Sequence, residues 1–150
     1  RHSFVPAGLA ESLLQQAADM ARLLLTELDY VGVLTLEIFV YQDKLLINEI
    51  APRVHNSGHW TIDACATDQF EQHMRAVAGW PLGSPNRQYD AVMTNLLGTE
   101  INHIDSLAED EMTKIHFYGK HEAKAGRKMG HVSRLFKVGH RPDREGYKLF

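Results

Sequence analysis

Two glutamates, Glu37 and Glu49, flank a short polar segment in a run otherwise suited to β-structure. Val31 to Tyr41 and Leu45 to Ile50 are rich in β-branched and aliphatic residues, with Gln42-Asp43-Lys44 between them, so the spacing predicts a hairpin over residues 33–50. With the turn centred on Asp43, Tyr41 is expected to face Leu45, Phe39 to face Ile47, and Glu37 to face Glu49. Opposed residues in an antiparallel pair have Cβ atoms roughly 4.5–5.5 Å apart, and like charges there repel unless a cation lies between them. Magnesium suits the position, because it is held by one or two carboxylates together with substrate phosphates. The alternative is a solvated hairpin face on which both glutamates point at water.

The next residues tilt that balance. Ile50 to Thr61 has almost no apolar periodicity and gathers Arg53, His55, Asn56, Ser57 and His59 around Gly58, just past a strand end. A segment of this kind cannot be core, and it is well stocked to hold anions and hydrogen-bonding ligands. The string Asn48-Glu-Ile-Ala-Pro-Arg-Val-His-Asn-Ser-Gly-His-Trp-Thr61 closely resembles the signature of the 5-(carboxyamino)imidazole ribonucleotide synthase family of ATP-grasp ligases. The resemblance continues at Gln69-Phe-Glu-Gln-His73 and from His116-Phe-Tyr-Gly-Lys120 through Gly126-Arg-Lys-Met-Gly-His131, and it covers the chain from Pro6 to about Val132.

The resemblance implies a reaction and a set of roles. ATP phosphorylates bicarbonate to carboxyphosphate, which carboxylates the exocyclic amine of 5-aminoimidazole ribonucleotide. Glu37 and Glu49, with Asn48, match the family's magnesium and ATP-phosphate ligands. Arg53 and His55 are expected to take part in the chemistry. With Asn56 and Ser57 they would hold the carboxylating anion and the aminoimidazole ribonucleotide. Lys120 and Arg127 match residues that reach the substrate's 5-phosphate. The chain departs from the family at Lys124-Ala125, where Arg-Pro is common. His59 and Trp60 could equally brace the loop. His73 and Cys65 are read as structural. ATP and Mg2+ are the implied cofactors, and a cytoplasmic homodimer is the implied assembly.

Bulk properties fit this reading. The 150 residues are 44% apolar and 23% charged, an ordinary globular composition. A net charge of −3 gives no basic footprint for nucleic acid, and no apolar run approaches a membrane span. The single cysteine, Cys65, excludes an intramolecular disulfide framework. The family's glycine-rich phosphate loop and adenine-binding lysines find no match here. The chain is therefore expected to be the C-terminal portion of a longer enzyme, inactive alone. Two rival readings are a non-catalytic fragment that binds magnesium and phosphorylated ligands or serves dimerisation, and a different ATP-grasp ligase.

The expected class is α+β: the C-terminal part of an ATP-grasp domain over residues 1–80, then a small antiparallel β domain over residues 81–150. Pro6 is placed to open a helix whose apolar stripe runs through residues 9, 13, 17, 20, 24 and 28. Gly32 lets the chain turn into the first strand. Asp68 and Glu71 signal a second helix, with Phe70, Met74, Val77 and Ala78 as its apolar face and Gly79 and Pro81 as its stop. Residues 81–86 read as a linker. Strands are predicted over residues 91–97, 114–118 and 128–136, a short acidic helix or turn over 106–112, and an irregular tail over 137–150.

Overall fold

The computed structural model describes residues 1–149; Phe150, the end of the expected irregular tail, lies outside them. The chain packs as two compact units that a single cut does not separate. One holds Gly8–His59 and Ala66–Asn86; the other holds Arg1–Ala7, Trp60–Cys65 and the residues from Arg87 onward. Packing thus divides the chain otherwise than the expected linear segments 1–80 and 81–150. The expected linker is not free either, since the Gln72 amide donates to the Gly83 carbonyl at 2.7 Å and accepts from its N–H at 2.9 Å.

The first unit contains helix α1 (Glu11–Glu27), strands β2 (Thr35–Tyr41) and β3 (Lys44–Ala51), and helix α3 (Gln69–Val77). The 3.6-residue stripe is present in α1: Leu13 is buried and residues 17, 20, 21 and 24 are half-buried, while Leu14 and Leu28 face out. Asp68 caps α3 by accepting from the Phe70 and Glu71 amides at 2.7 and 3.1 Å. Glu71 does not complete a capping box; it pairs with Arg75 one turn on, at 2.7 Å. The expected apolar face of α3 is the exposed one in this structure, because Phe70, Met74 and Val77 are 41%, 63% and 59% accessible. Gln69 is the buried residue of this helix, and its amide serves the preceding loop.

The second unit is built on a four-stranded antiparallel sheet, ordered β1-β4-β6-β5, with β1 His2–Val5, β4 Asp90–Leu97, β5 Thr113–Phe117 and β6 Lys128–Phe136. The inner strands β4 and β6 are buried on both faces. One face carries Leu96 and Val132, packed with Leu107, Leu149 and Tyr147. The other carries Ala91 and Leu135 beneath helix α2 (Thr61–Ala64), whose Ala64 is fully buried. Leu107 belongs to α4 (Ile104–Ala108), which follows a 3-10 turn over Gly98–His103 and lies a little before the expected 106–112. The tail from Lys137 holds no helix or strand up to Leu149, yet Leu149 enters the core. Among the described residues no helix is long and apolar enough to cross a membrane.

The edge strand β1 corrects the sequence reading. His2 to Val5 pair with Thr94 to Ala91, so Pro6 follows a strand and α1 begins only at Glu11. His2 Nδ1 lies 2.8 Å from Thr94 Oγ1. Burial first, and then the Arg1 guanidinium, hold His2 below its ordinary pKa of 6.5. The unfolded chain therefore binds a proton that folded His2 resists, and its contribution to stability is lost as pH falls through that ordinary value. Urea unfolding at about pH 7.5 and about pH 5.5 should show a smaller acid-side loss for His2→Asn than for the parent chain. Equal losses would show that His2 carries no linkage.

Candidate functional site

The hairpin places Glu37 opposite Glu49, but by a different route from the expected one. Tyr41 pairs with Lys44, Val40 with Leu45, Phe39 with Leu46 and Ile38 with Ile47. The turn is therefore Gln42-Asp43, both at positive φ (49° and 55°), as a two-residue type I′ connection requires. That register alone would put Glu37 opposite Asn48. A bulge between Glu37 and Ile38 takes up the extra residue and restores Glu37 to Glu49.

Around that pair the loop closes into one hydrogen-bonded group. Asn48 Nδ2 donates to Glu37 Oε2 at 3.2 Å, and His55 Nε2 lies 3.2 Å from Glu37 Oε1. The Ser57 backbone N–H donates to His55 Nδ1 at 3.3 Å, and the Ser57 hydroxyl lies 2.9 Å from that nitrogen. A backbone amide can only donate, so Nδ1 is the acceptor and the imidazole proton sits on Nε2, facing Glu37. Glu37 is thereby fixed in direction by two neutral donors, while Glu49 stands exposed across the strand pair. With the Asn48 amide nitrogen engaged by Glu37, its carbonyl oxygen is the atom left for a cation. Two carboxylates and an amide oxygen are the hard donors that magnesium takes, so the residues fit the ion that the family resemblance implies.

Arg53 projects from the loop just past β3, exposed, with one guanidinium nitrogen donating to the Val54 carbonyl at 3.0 Å. Its backbone is held on both sides: the N–H donates to the Ala51 carbonyl at 2.8 Å and the carbonyl accepts from Thr35 Oγ1 at 3.3 Å. Residues 56–58 form a 3-10 turn capped by the His55 side chain.

The residue that sequence reasoning misses is Gln69. Its Oε1 accepts from the His55 N–H at 2.9 Å, its Nε2 donates to the His55 carbonyl at 2.9 Å, and the same nitrogen lies 2.8 Å from His59 Nδ1. It is only 8% exposed, and a Cβ on Gly58 would collide with its amide. A glutamine at the first position of a helix carries no local signal for this; only the register of α3 against the loop creates the clamp. Gln69→Leu should therefore lower stability by about 1–3 kcal/mol, the cost of leaving a buried backbone pair unsatisfied. An unchanged urea midpoint would rule out the clamp. His59 stacks on Phe70 with ring centroids 5.5 Å apart. His73 Nδ1 accepts from the Val33 N–H at 3.0 Å and packs against Gly32, whose φ of +133° and close approach exclude a side chain there.

Lys120 and Arg127 belong to the other unit, near the two ends of the connection between β5 and β6. Lys120 Nζ donates to the Lys128 carbonyl at 2.7 Å and lies 5.6 Å from the Tyr118 ring centroid. Arg127 is exposed, with one nitrogen 3.4 Å from the Glu122 carbonyl that accepts from it. The Arg127 carbonyl accepts from the Gly98 N–H at 2.9 Å, which ties this end of the loop to the turn after β4. At the departing Lys124-Ala125 pair, Lys124 ion-pairs with Glu122 at 2.8 Å, both exposed, a contact of little energetic weight. Gly98, at φ +53°, is what lets the Lys124 backbone approach, since a Cβ there would lie 3.1 Å from the Lys124 carbonyl oxygen.

The chain is similar to known proteins along most of its length. Residues 1–70 match the ATP-grasp domain family, and residues 91–140 match the phosphoribosylaminoimidazole carboxylase C-terminal domain family. The N5-carboxyaminoimidazole ribonucleotide synthase of Brucella melitensis biotype 1 is 54% identical over 134 residues, which are 89% of this chain and 37% of that protein. A crystal structure of an N5-carboxyaminoimidazole ribonucleotide synthetase–ADP complex superposes with a TM-score of 0.84 at 48% identity, covering 89% of this chain and 36% of that one. The Aspergillus clavatus synthase in complex with ADP and 5-aminoimidazole ribonucleotide gives 0.86 at 33% identity, covering 91% and 39%. The chain thus spans little more than a third of the relatives it matches. An ATP-grasp hairpin and loop, followed by this C-terminal domain, at such identity make the chain similar to the carboxy-terminal portion of the N5-carboxyaminoimidazole ribonucleotide synthases.

Proposed function

We propose that the whole protein is an ATP-dependent ligase that carboxylates 5-aminoimidazole ribonucleotide with bicarbonate, and that this chain supplies its metal acids, its anion loop and its substrate-phosphate group. The observation that carries the reading is the Glu37–Asn48–His55–Ser57 network beside Glu49. Bicarbonate oxygen takes the γ-phosphoryl group of ATP, giving carboxyphosphate and ADP. The exocyclic amine of the ribonucleotide then attacks the carboxyl carbon, and phosphate leaves.

Each residue has a physical task in that sequence. Glu37, Glu49 and the Asn48 carbonyl would hold magnesium, which neutralises phosphate charge when bound. Arg53 can fork two donors onto one oxyanion, bicarbonate or carboxyphosphate. His55 Nε2–H keeps Glu37 aimed and offers a proton at the same place. Asn56 and Ser57 supply short polar contacts to the ribonucleotide, and Lys120 and Arg127 receive its 5-phosphate. Carboxyphosphate is short-lived in water, so the reaction needs a site closed to water. A cytoplasmic homodimer that binds no nucleic acid is the setting this reading implies.

The test is co-substrate dependence in the whole protein. ADP formation with magnesium present should require both bicarbonate and 5-aminoimidazole ribonucleotide for full rate. ADP formation that ignores either one would defeat the proposal.

A further inference from the structure

We propose that Asp63, His116 and His131 form a binding site for a first-row transition-metal ion, distinct from the Glu37–Glu49 pair and independent of the ligase reading. The sequence separates these residues widely, and the sheet brings them together. In the β5–β6 ladder His116 is the direct partner of His131. Their rings stack with centroids 4.5 Å apart and planes within 12°. Gly130, beside His131, permits this, because a Cβ there would collide with the His116 carbonyl. Asp63 comes from α2, which lies on the sheet face that also carries Ala91 and Leu135. Its two oxygens lie 3.0 and 2.9 Å from His116 Nε2.

One ligand atom from each of the three residues falls within 4.8 Å of the others. With metal–ligand bonds of about 2.0–2.2 Å, two donors on one tetrahedral ion lie roughly 3–3.5 Å apart, so a small side-chain adjustment closes the site. The Tyr118 hydroxyl lies 3.0 Å from His131 Nδ1, so ligation falls to Nε2. A hydrogen-bonded second nitrogen is the usual condition of a ligating histidine, fixing ring orientation and tautomer. Two imidazoles with one carboxylate select zinc, cobalt, nickel or copper over magnesium, the reverse of the hairpin's all-oxygen set. An open cleft of about 430 Å³, lined by Asp63, His116, Thr113, Asp110 and Lys114 among others, leaves room for water or an anion as a fourth ligand. The competing account is a plain Asp63–His116 ion pair bracing α2 on the sheet.

Cobalt titration distinguishes the two. Chelator-treated protein, followed by visible absorption, should bind Co2+ in a saturable 1:1 complex that Zn2+ displaces. Asp63→Asn and His116→Gln should each weaken Co2+ binding by at least about 10-fold, whereas Glu37→Gln should not. Asp63→Asn keeps the shape and a hydrogen bond to His116, so it carries the test if His116→Gln fails to fold by circular dichroism. Absence of a saturable cobalt spectrum in the folded parent protein would overturn the site. So would full-strength binding by Asp63→Asn, or loss of the spectrum in Glu37→Gln instead.

Discussion

Glu49→Gln is expected to reduce ATP turnover in the whole protein by at least about 100-fold, with the fold intact, because a metal-held charge is worth several kcal/mol in a phosphoryl-transfer transition state. The substitution keeps size and removes only the charge. Glu49 is exposed, so no buried partner is left unsatisfied. It also stands opposite Glu37 in the ladder, so neutralising it relieves a like-charge pair. Thermal stability should therefore stay constant or rise slightly while turnover collapses. That opposition of signs separates a metal ligand from a structural glutamate. Near-normal turnover at saturating magnesium would exclude the assignment. Glu37→Gln is the less clean variant, since Glu37 also takes the Asn48 amide and faces His55 Nε2.

Arg127→Ala should raise KM for 5-aminoimidazole ribonucleotide by on the order of 10- to 100-fold, the equivalent of one charge-assisted contact worth roughly 1.5–3 kcal/mol. KM for ATP should stay nearly unchanged. The 5-phosphate does not react, so its contacts mainly secure and position the substrate. Arginine is the better probe because its planar fork can engage two phosphate oxygens, and because Lys120 also donates to the Lys128 carbonyl. The Arg127 backbone is fixed by the Gly98 contact, so truncating the exposed side chain should leave the loop in place. A parallel rise in both KM values would assign the loop to closure of the enzyme around its substrates. No change in either would leave Arg127 a solvated turn residue and mark Lys124-Ala125 as the sign of a displaced phosphate site.

The α1 stripe, the Asp68 cap and the Lys128–Phe136 strand are legible in the amino-acid sequence, because periodicity and end signals act over a few residues. The Glu37–Glu49 pairing is legible in outcome but not in mechanism. Alternation decides which residues share a face, whereas the turn type and the bulge decide the register. A two-residue turn and one extra residue happen to cancel the error of centring the turn on Asp43.

The sequence by itself determined the family likeness, the chemistry-bearing residue types and the local elements, because the 48–61 string is long and a capping or alternating pattern needs only neighbours. Tertiary structure alone decided four other features. The strand His2–Val5 has no strong signal of its own and exists because β4 offers it an edge. The outward face of α3 could not be read from its apolar pattern, because the pattern states which side is greasy and not which side is covered. Gln69 clamping His55, and Asp63 meeting His116 and His131, join residues 14, 53 and 15 positions apart along the chain. Contacts at such separations leave no periodicity to detect. They follow from sheet order and from where a helix lands on a sheet face, which the whole set of packed side chains decides together.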